Sequence, residues 1–542
     1  MKIYKADVLV IGTGLAGLMA AVNCKENYPD LKVLICSKAP PGLANCTAVS
    51  KGAFRNTSPK YHPEEFKEET LESGYYLNDQ RLLDTLVNNS EKDLNLLESY
   101  GIKFEKRSRG RYIYRKSLDG EGTVITRAVL DYAQGLEVEF LYPFLAWDLI
   151  EKEGQAAGVW GFLKDSGNPA ACLAKAVVLA SGGAGAIYDR TDNPPGITGD
   201  GYALAYRAGL PLMDMEFVQF YPLGSASPGA KARFLLPILA EAGRFINING
   251  EDIVEKYEID ELPLASNSRD KLSRAMALEA ADIREKEGTV KAVKLEFDFS
   301  PDSWQRAKGI LGYTDIEPVK TWLKNYLGNR NYIPVMPVAH FFCGGLIIDH
   351  LCQTDLPGLF AAGEVVGGLH GADRLGSNAL SEALVFGKIA GKQAGEFCTN
   401  QPSENPGRHF TSTLENRVNK ETEKLFNNNT KNCGGNKESY REKRKRLGKE
   451  MMEKAGLIRS EELLKAVKET IINEQNYLVW NGKEKELRSF LELKNLYLVA
   501  ELITDAARVR KESRGTHYRS DYPGLSGRYD RNIINSSYLK RC

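Results

Sequence analysis

The sequence predicts an α/β protein, in which a Rossmann-like domain is interrupted by an inserted α+β segment and followed by a helical C-terminal region. Three observations lead to this prediction. An apolar, strand-like run at residues 8–11 leads directly into a glycine fingerprint and a helical pattern. A second glycine-rich segment, residues 358–387, also enters a helical pattern. Beyond residue 403, leucines and alanines recur at helical spacing, most clearly over residues 487–510.

The N-terminal fingerprint at residues 12–17 reads Gly-Thr-Gly-Leu-Ala-Gly. In a dinucleotide-binding fold such glycines permit a tight turn, contact with the pyrophosphate and close helix–strand packing. The next strand-like run, residues 31–36, ends in Ser37 and Lys38, where such folds often place an acid for the ribose. A serine hydroxyl can still bond a ribose oxygen, but the missing acid weakens the case for NAD. The segment therefore predicts a site for FAD or NAD.

Two further segments point to the same kind of ligand. Residues 176–183 form an apolar run that ends in glycines, like the N-terminal fingerprint. In residues 358–387, glycine-rich backbone can approach a flat ligand, and the helix start behind it offers unpaired N–H groups. His370 and Arg374 lie in the same loop, so an anion can lie beside the ligand. The alternative interpretation is a glycine-rich surface loop without a ligand.

The composition excludes several classes of protein. The 542-residue chain has 72 Lys and Arg against 71 Asp and Glu, so its charge gives no reason to expect nucleic-acid binding. No apolar run reaches the roughly 18 residues of a membrane helix, and no signal-peptide pattern opens the chain. We therefore expect a cytoplasmic protein without a membrane span. The nine cysteines include no CxxC pair, so we expect reduced thiols, no iron–sulfur cluster and no metal site.

Changes of pattern along the chain predict four segments. Residues 1–225 alternate strands and helices and form the first part of the dinucleotide-binding domain. Residues 226–335 are more polar and irregular and form the insertion. Residues 336–403 complete the first domain, and residues 404–542 form the helical domain.

Eight motifs follow the order found in a known family. They are GTGLAG, ASGGAG, NPPGITGDGYALAYRAG, MEFVQFYP, SRDKLSRA, AHFFCGGL, GEVVGGLHGADRLGSNAL and ESRGTHYRSDYP. Together they resemble the flavoprotein subunit of fumarate reductase and succinate dehydrogenase, and L-aspartate oxidase shares them. The resemblance covers nearly the whole chain and implies a Rossmann-like FAD-binding domain, an α+β capping domain that closes over the substrate, and a helical C-terminal domain. The matching FAD contacts are Gly12, Gly14, Leu15, Ala16, Gly17, Ser37, Lys38, Thr47, Gly52, Ser181, Gly182, Asp200, Glu364, Asn378, Ala379 and Leu380.

One departure concerns how FAD is held. In fumarate reductase and succinate dehydrogenase, a histidine of a His-Thr-x-Ala-x-Gln-Gly pattern bonds covalently to the flavin. The matching stretch here begins with Cys46. We therefore predict non-covalent FAD, as in L-aspartate oxidase. The alternative, a cysteinyl–flavin bond, is chemically possible.

The resemblance also implies reduction, or reversible formation, of the C=C bond of a carboxylate substrate. That reaction needs a hydride from flavin N5 at one carbon and a proton at the other. In the family an arginine donates the proton and a Glu–Arg relay feeds it; the matching residues are Arg269, Glu241 and Arg244. The alternatives are a surface salt bridge for Arg269 and ordinary ion pairing for Glu241 and Arg244, because the family's usual RGEG sequence does not follow Arg244.

One substrate carboxylate is held in the family by a histidine and an arginine, which match His340 and Arg374. Arginine suits this role because its planar fork binds a carboxylate through two hydrogen bonds. A histidine in an apolar strand is otherwise often only a core residue. For His340, the position before Cys343 in family order favours the functional interpretation.

At the other end of the substrate the chain departs from the family. The family's histidine is Tyr221 here, and its threonine is Ala240. Tyrosine can donate one hydrogen bond and can also stack on a planar group. We therefore expect a 2-enoate whose far end is less acidic, aromatic or larger than that of fumarate. Relatives that reduce other 2-enoates, such as urocanate, are similar in having tyrosine at this position.

Electrons must reach the flavin from elsewhere, because the sequence contains no second NAD fingerprint, FMN attachment signal or cysteine-rich cluster domain. The implied donor is a separate iron–sulfur or other electron-transfer protein; without one, oxygen would be the acceptor. Besides a 2-enoate reductase, three interpretations stay open. They are fumarate reductase or succinate dehydrogenase proper, L-aspartate oxidase, and a flavin electron-transfer subunit without substrate chemistry.

Overall fold

A computed structural model of the chain describes residues 1–107, 109–113, 121–163, 168–226, 233–285, 288–313, 315–401, 408–427 and 438–536. The seven cysteines in this part are free thiols, while Cys433 and Cys542 lie outside the described residues. No helix among the described residues is both long enough and apolar enough to cross a membrane.

The strands, in chain order, are β1 (Lys2–Lys5), β2 (Val8–Ile11), β3 (Val33–Cys36), β4 (Ala53–Arg55), β5 (Phe104–Arg107), β6 (Gly110–Ile113), β7 (Glu139–Leu141), β8 (Phe144–Lys152), β9 (Gln155–Leu163), β10 (Pro169–Leu173), β11 (Ala176–Leu179), β12 (Leu212–Met213), β13 (Val218–Ser225), β14 (Arg244–Ile246), β15 (Ala281–Glu285), β16 (Gly288–Glu296), β17 (Tyr332–Phe342), β18 (Gly345–Leu346), β19 (Leu359–Ala361) and β20 (Ile534–Asn535).

The helices, in chain order, are α1 (Leu15–Asn27), α2 (Cys46–Val49), α3 (Pro63–Ser73), α4 (Gln80–Ser99), α5 (Glu121–Gly135), α6 (Asp200–Arg207), α7 (Ile238–Ala242), α8 (Ile253–Lys256), α9 (Arg269–Glu279), α10 (Pro301–Leu311), α11 (Glu317–Leu327), α12 (Asn378–Thr399), α13 (Arg408–Asn427), α14 (Tyr440–Lys454), α15 (Glu461–Asn476) and α16 (Leu487–Val509).

A five-stranded parallel sheet forms the centre of the first domain, in the order β7-β3-β2-β11-β19. All four residues of β2 are buried, because elements cover both faces of the sheet. A second sheet, in the order β1-β10-β9-β8, and a small sheet of β4, β6 and β5 complete this domain. The predicted Rossmann-like fold is confirmed.

Helices α1 and α12 pack together at unusually short range. A Cβ atom on Gly387 would lie 2.5 Å from the carbonyl oxygen of Ala16, and one on Gly391 would lie 1.9 Å from that of Ala20. Glycine is therefore required at both positions on α12, because any side chain would meet backbone of α1. This contact brings the N-terminal fingerprint and the glycine-rich loop before α12 to the same end of the parallel sheet.

The insertion has its own antiparallel sheet, in the order β13-β17-β16-β14 with β15 beside β16, and its own hydrophobic core around Trp304 and Leu323. Strands β13 and β17, which lead into and out of the insertion, pair with each other and place Tyr221 opposite Val338. Strand β13 ends at the predicted boundary at 225/226, whereas β17 crosses the one at 335/336, and the exact boundaries stay a prediction.

The C-terminal region is helical up to Val509, and α16 confirms the helix expected over residues 487–510. The chain then returns to the first domain, where β20 pairs with β12. Buried Arg510 anchors this return through ion pairs with Asp214, Glu216 and Glu512. The last described segment is thereby part of the main body of the protein.

We expect Gly391→Ala to lower the melting temperature by several degrees and to reduce the FAD content of the purified protein. The added methyl group would overlap the Ala20 carbonyl, and overpacking of this kind costs about 1–3 kcal/mol. Gly309→Ala in α10 is the matched control, because among the described residues no atom beyond its chain neighbours and the nearby backbone of α10 lies within 4 Å of its added Cβ. Alanine there should be neutral or stabilise by up to about 1 kcal/mol. Equal melting temperatures for both variants would contradict the role of the α1–α12 contact.

Candidate active site

One cavity of about 550 Å³ brings most of the predicted site residues together, between the first domain and the capping domain. Its wall includes all three predicted substrate contacts and the predicted proton donor, Arg269. The predicted cofactor residues in the wall are Gly12, Gly14, Leu15, Ala16, Ser37, Lys38, Thr47, Ser181, Gly182, Asp200, Glu364, Ala379 and Leu380.

Three predicted cofactor residues, Gly17, Gly52 and Asn378, are not part of the cavity wall. Gly17 lies on α1 where a Cβ would be 2.1 Å from the Gly12 carbonyl, so it serves helix packing. Asn378 is fully buried and donates a hydrogen bond to Thr70. Gly52 adopts φ +61°, which supports the turn before β4.

The phosphate end of the cavity is built from glycines and hydroxyls. Gly12 adopts φ +117°, and a Cβ there would lie 2.2 Å from the Ala180 carbonyl oxygen. Helix α1 begins directly behind it, and its Leu15 N–H donates to Thr47 Oγ1 at 3.1 Å. The buried hydroxyl of Ser181 has no hydrogen-bond partner among the described residues. Helix-start N–H groups and hydroxyls fit the pyrophosphate of FAD.

The end of the cavity at Lys38, where the resemblance places the ribose of FAD, contacts the C-terminal domain. The Lys38 ammonium lies 2.5 Å from an Asp200 carboxylate oxygen and 3.0 Å from one of Glu492. Arg488, one turn before Glu492 on α16, donates to the Lys38 carbonyl and also lines the cavity. No sequence motif indicates Glu492 or Arg488, because α16 reaches this end only through the tertiary fold.

Cys46 and Glu364 face each other in the cavity wall. The Phe342 N–H donates to Glu364 at 3.1 Å, and burial raises the pKa of Glu364 to about 7. Burial, followed by the nearby Glu364 charge, raises the pKa of the Cys46 thiol well above its ordinary value. A protonated thiol is a poor nucleophile, which supports the prediction of non-covalent FAD.

His340 lies on β17 with its ring at the cavity. Its Nδ1 lies 2.7 Å from a carboxylate oxygen of Asp192. Burial lowers the pKa of His340 below its ordinary value, although Asp192 opposes that effect. Nδ1–H therefore donates to Asp192, because a neutral imidazole has one N–H and this carboxylate is its acceptor. This arrangement leaves Nε2 as the second hydrogen-bonding atom of the ring.

Arg269 and Arg374 are buried side by side and share one acceptor. Arg269 Nη1 and Arg374 Nη2 donate to the same Gln219 side-chain oxygen, at 2.6 and 2.8 Å. Burial, followed by the positive charge of Arg269, lowers the pKa of Arg374 to about 10. Arg374 Nε is buried and has no acceptor in the part of the chain that the structure describes. The Arg374 side chain lines the cavity, so its guanidinium can bind a carboxylate there.

Tyr221 differs from the expectation in one respect. Its hydroxyl donates to the Leu235 carbonyl at 2.8 Å, and its ring stacks on Phe234 with centroids 4.2 Å apart. The hydroxyl proton is thus committed to backbone, and the ring forms an aromatic wall beside His340, 5.4 Å away. Ala240 is buried in the capping domain and does not line the cavity.

The expected Glu–Arg relay is not assembled. Glu241 is buried near the site, accepts from the Leu264 N–H at 2.6 Å, and has its pKa raised to about 7 by burial. Arg244 is 64% exposed, and its Nε donates to Asp252 at 3.0 Å. The two residues would share one face if the helix continued, but α7 ends at Ala242 and Gly243 is extended. The expectation that Arg244 belongs to the site is therefore corrected.

Sequence reasoning also missed aromatic and basic residues of the cavity wall. The guanidinium carbon of Arg107, on β5, lies 4.0 Å from the ring centroid of Tyr313 in the capping domain. Both residues line the cavity, as does Phe234. No sequence motif indicates these residues, because the contact between Arg107 and Tyr313 joins segments about 200 positions apart in the chain.

Comparisons with known proteins agree with this geometry. A family described as "FAD binding domain" matches residues 7–380, and one described as "Fumarate reductase flavoprotein C-term" matches residues 444–541. An uncharacterized FAD-dependent oxidoreductase of Methanocaldococcus jannaschii is 34% identical over 98% of this chain and 96% of its own. The fumarate reductase (CoM/CoB) of Methanothermobacter marburgensis has a subunit that is 31% identical over 98% and 97%. A variant of Escherichia coli quinol fumarate reductase superposes with a TM-score of 0.84 at 26% identity, covering 98% of this chain and 94% of that one.

We expect acid precipitation of the purified yellow protein to leave its flavin in the supernatant. The reason is that the thiol of Cys46, which stands at the position of the family's flavin-linking histidine, is protonated. Cys46→Ala is the matched control and should release flavin equally. Flavin that stayed in the wild-type pellet, but not in the Cys46→Ala pellet, would show a thioether bond instead.

Proposed function

This chain belongs to the fumarate reductase and succinate dehydrogenase flavoprotein family, and it is therefore an FAD-dependent oxidoreductase acting on CH–CH bonds. From this premise we propose a more specific function. We infer that it reduces, or reversibly forms, the C=C bond of a 2-enoate other than fumarate. The observation that carries this inference is the shared cavity of Arg269, Arg374 and His340 beside the FAD-binding loops.

Bound FAD, held by the glycine-rich loops and Glu364, supplies two-electron hydride chemistry. Arg374 holds the substrate carboxylate through its guanidinium, which lines the cavity. His340 joins this clamp as the imidazolium, in which Nδ1–H donates to Asp192 and Nε2–H donates to the substrate. This binding draws electron density toward the carboxylate and so polarises the alkene. Arg269 donates a proton to the alkene carbon, with its guanidinium oriented by Gln219 and by the Ala265 carbonyl at 3.1 Å.

Reprotonation of Arg269 involves a route other than Arg244. Glu241 accepts from the Leu264 N–H, and Arg269 donates to the Ala265 carbonyl, so both side chains bind the same two-residue stretch of backbone. A carboxyl with a pKa of about 7 exchanges protons readily at neutral pH. We propose Glu241 as the proton source that serves Arg269.

The far end of the substrate faces aromatic rings. Tyr221 and Phe234 present a stacked pair, and the Tyr221 hydroxyl proton is used by the Leu235 carbonyl. A planar or aromatic group gains contact area against such a wall, whereas a second carboxylate needs donors. The proposed substrate is therefore a 2-enoate with an uncharged or aromatic far end.

A second candidate is fumarate itself. The relative from Methanothermobacter marburgensis carries the name fumarate reductase, and Arg107 supplies a cation in the cavity wall. In either case we propose that electrons arrive through a separate protein, such as an iron–sulfur subunit. Support comes from relatives named as subunits.

We expect Arg269→Lys to lower the turnover number about 10²–10⁴-fold while FAD stays bound, because lysine cannot keep both the Gln219 and the Ala265 contacts. The measurement is reduced-viologen oxidation with an enoate substrate. Arg244→Lys is the control; that side chain lies in solvent and should retain activity within about twofold. Full activity of Arg269→Lys would show that Arg269 is not the proton donor. Loss of activity in Arg244→Lys would show that Arg244 takes part in the proton relay after all.

Assays with urocanate, cinnamate, crotonate and fumarate test the substrate class. We expect kcat/KM for urocanate or cinnamate to exceed that for fumarate by at least about tenfold, since the Tyr221 hydroxyl proton is already bonded and cannot serve a second carboxylate. Tyr221→Phe should keep this ranking, because it retains the ring. Tyr221→His should shift the ranking toward fumarate. Efficient turnover of fumarate alone would favour the second candidate.

A further inference from the structure

The Gln219 side chain is surrounded by four hydrogen-bonding partners. Its Oε1 accepts from Arg269 and Arg374, and its Nε2 donates to the Arg374 carbonyl at 2.9 Å and to the Asp373 carboxylate. Gln219, Arg269, Arg374 and Asp373 are all at most 5% exposed. The two arginines are therefore joined through one amide, deep in the capping-domain junction.

The chemistry of the four partners allows one orientation of that amide. The two groups at Oε1 are guanidinium donors, which cannot accept, and the two at Nε2 are a carbonyl and a carboxylate, which cannot donate when ionised. A flipped amide would place its NH2 against both arginines and its oxygen against both acceptors. Asp373 is the side-chain acceptor at Nε2, beside the Arg374 carbonyl, and it also accepts from the Arg374 N–H at 2.9 Å.

The orientation matters because the arginines carry like charges at short range in a buried site. Burial and the charge of Arg269 lower the pKa of Arg374, which expresses that repulsion. The shared amide oxygen offsets it and holds each guanidinium at 2.6–2.8 Å. The distance between the proton donor and the carboxylate clamp thus depends on how Gln219 is held.

We propose that Asp373 is a positioning residue for the reaction: it fixes Gln219, and through Gln219 it sets the relative position of Arg269 and Arg374. This proposal rests on the proposed function for the roles of the two arginines. Asp373 itself does not line the cavity, so it acts without touching substrate.

Two variants of Asp373 separate this role from a merely structural one. Asp373→Asn still presents an oxygen to Gln219 Nε2 and to the Arg374 N–H, so it should keep kcat and KM within a few-fold. Asp373→Leu keeps a similar side-chain size but removes the acceptor, so it should lower kcat about 10²-fold, the effect of a misplacement near 1 Å. It should also raise KM, because the carboxylate clamp moves together with the proton donor.

A double-mutant cycle tests whether Asp373 acts through Gln219. If it does, Asp373→Leu combined with Gln219→Leu should lower kcat no further than Gln219→Leu alone. Multiplicative losses would show that Asp373 acts independently and would overturn the proposal. FAD content and melting temperature of each variant confirm that the comparison is between folded holoenzymes.

A crystal structure of the FAD-bound Asp373→Leu variant tests the positioning role of Asp373 independently of activity. We expect Gln219 Oε1 to lose at least one of its two arginine contacts; retention of both would overturn the proposal. Titration of cinnamate and fumarate into the oxidised holoenzyme, followed by flavin absorbance, should give weaker binding in the variant. A wild type without any enoate reductase activity would overturn the proposed function instead, and the crystal structure would still decide on Asp373.

Discussion

The glycine contact between α1 and α12 decides where two of the cofactor-binding loops lie. Gly387 and Gly391 let backbone approach backbone, so the loop that precedes α12 ends beside the fingerprint that precedes α1. Each helix starts at the same end of the parallel sheet, where dinucleotides bind in open α/β folds. A side chain at either glycine would separate the helices and thereby the two halves of the FAD site. Cofactor binding is in this sense a consequence of helix packing.

A second constraint links the cofactor site to the chemistry. The capping domain is attached through β13 and β17, which pair with each other, and Gln219, Tyr221 and His340 all lie on these two strands. Arg269 begins α9 in the capping domain, whereas Arg374 lies in the loop before α12 in the first domain. Gln219 therefore joins the two domains at the point where substrate binds. Movement of the capping domain would change the same hydrogen bonds that orient the arginines.

The sequence allowed prediction of the fold, and most of the site residues that it predicted line the cavity, because motif order specifies which loops meet at one sheet edge. It predicted Arg269, His340 and Arg374 together, although their roles stay predictions. It was wrong on Arg244, since Glu-x-x-Arg spacing places both residues together only within a continuous helix, and α7 ends between them. Arg107 and Tyr313 could not be predicted, because their contact depends on how the capping domain closes over the first domain.

Whether the far end of the substrate is a second carboxylate or an apolar group depends on the hydration free energy that each would lose on entering the cavity. A buried carboxylate loses hydration worth several kcal/mol unless donors replace it, whereas an aromatic ring gains by leaving water. Beside Arg269, the residues near Tyr221 offer stacked rings and a hydroxyl already bonded to the Leu235 carbonyl. Arg107, which also pairs with Glu105, lies in the cavity wall beside Tyr313 and could compensate only for a charge that reaches that side of the cavity. A substrate with two carboxylates therefore needs Arg107, while a substrate with one carboxylate and a flat apolar end needs only the groups already arranged around His340 and Arg374.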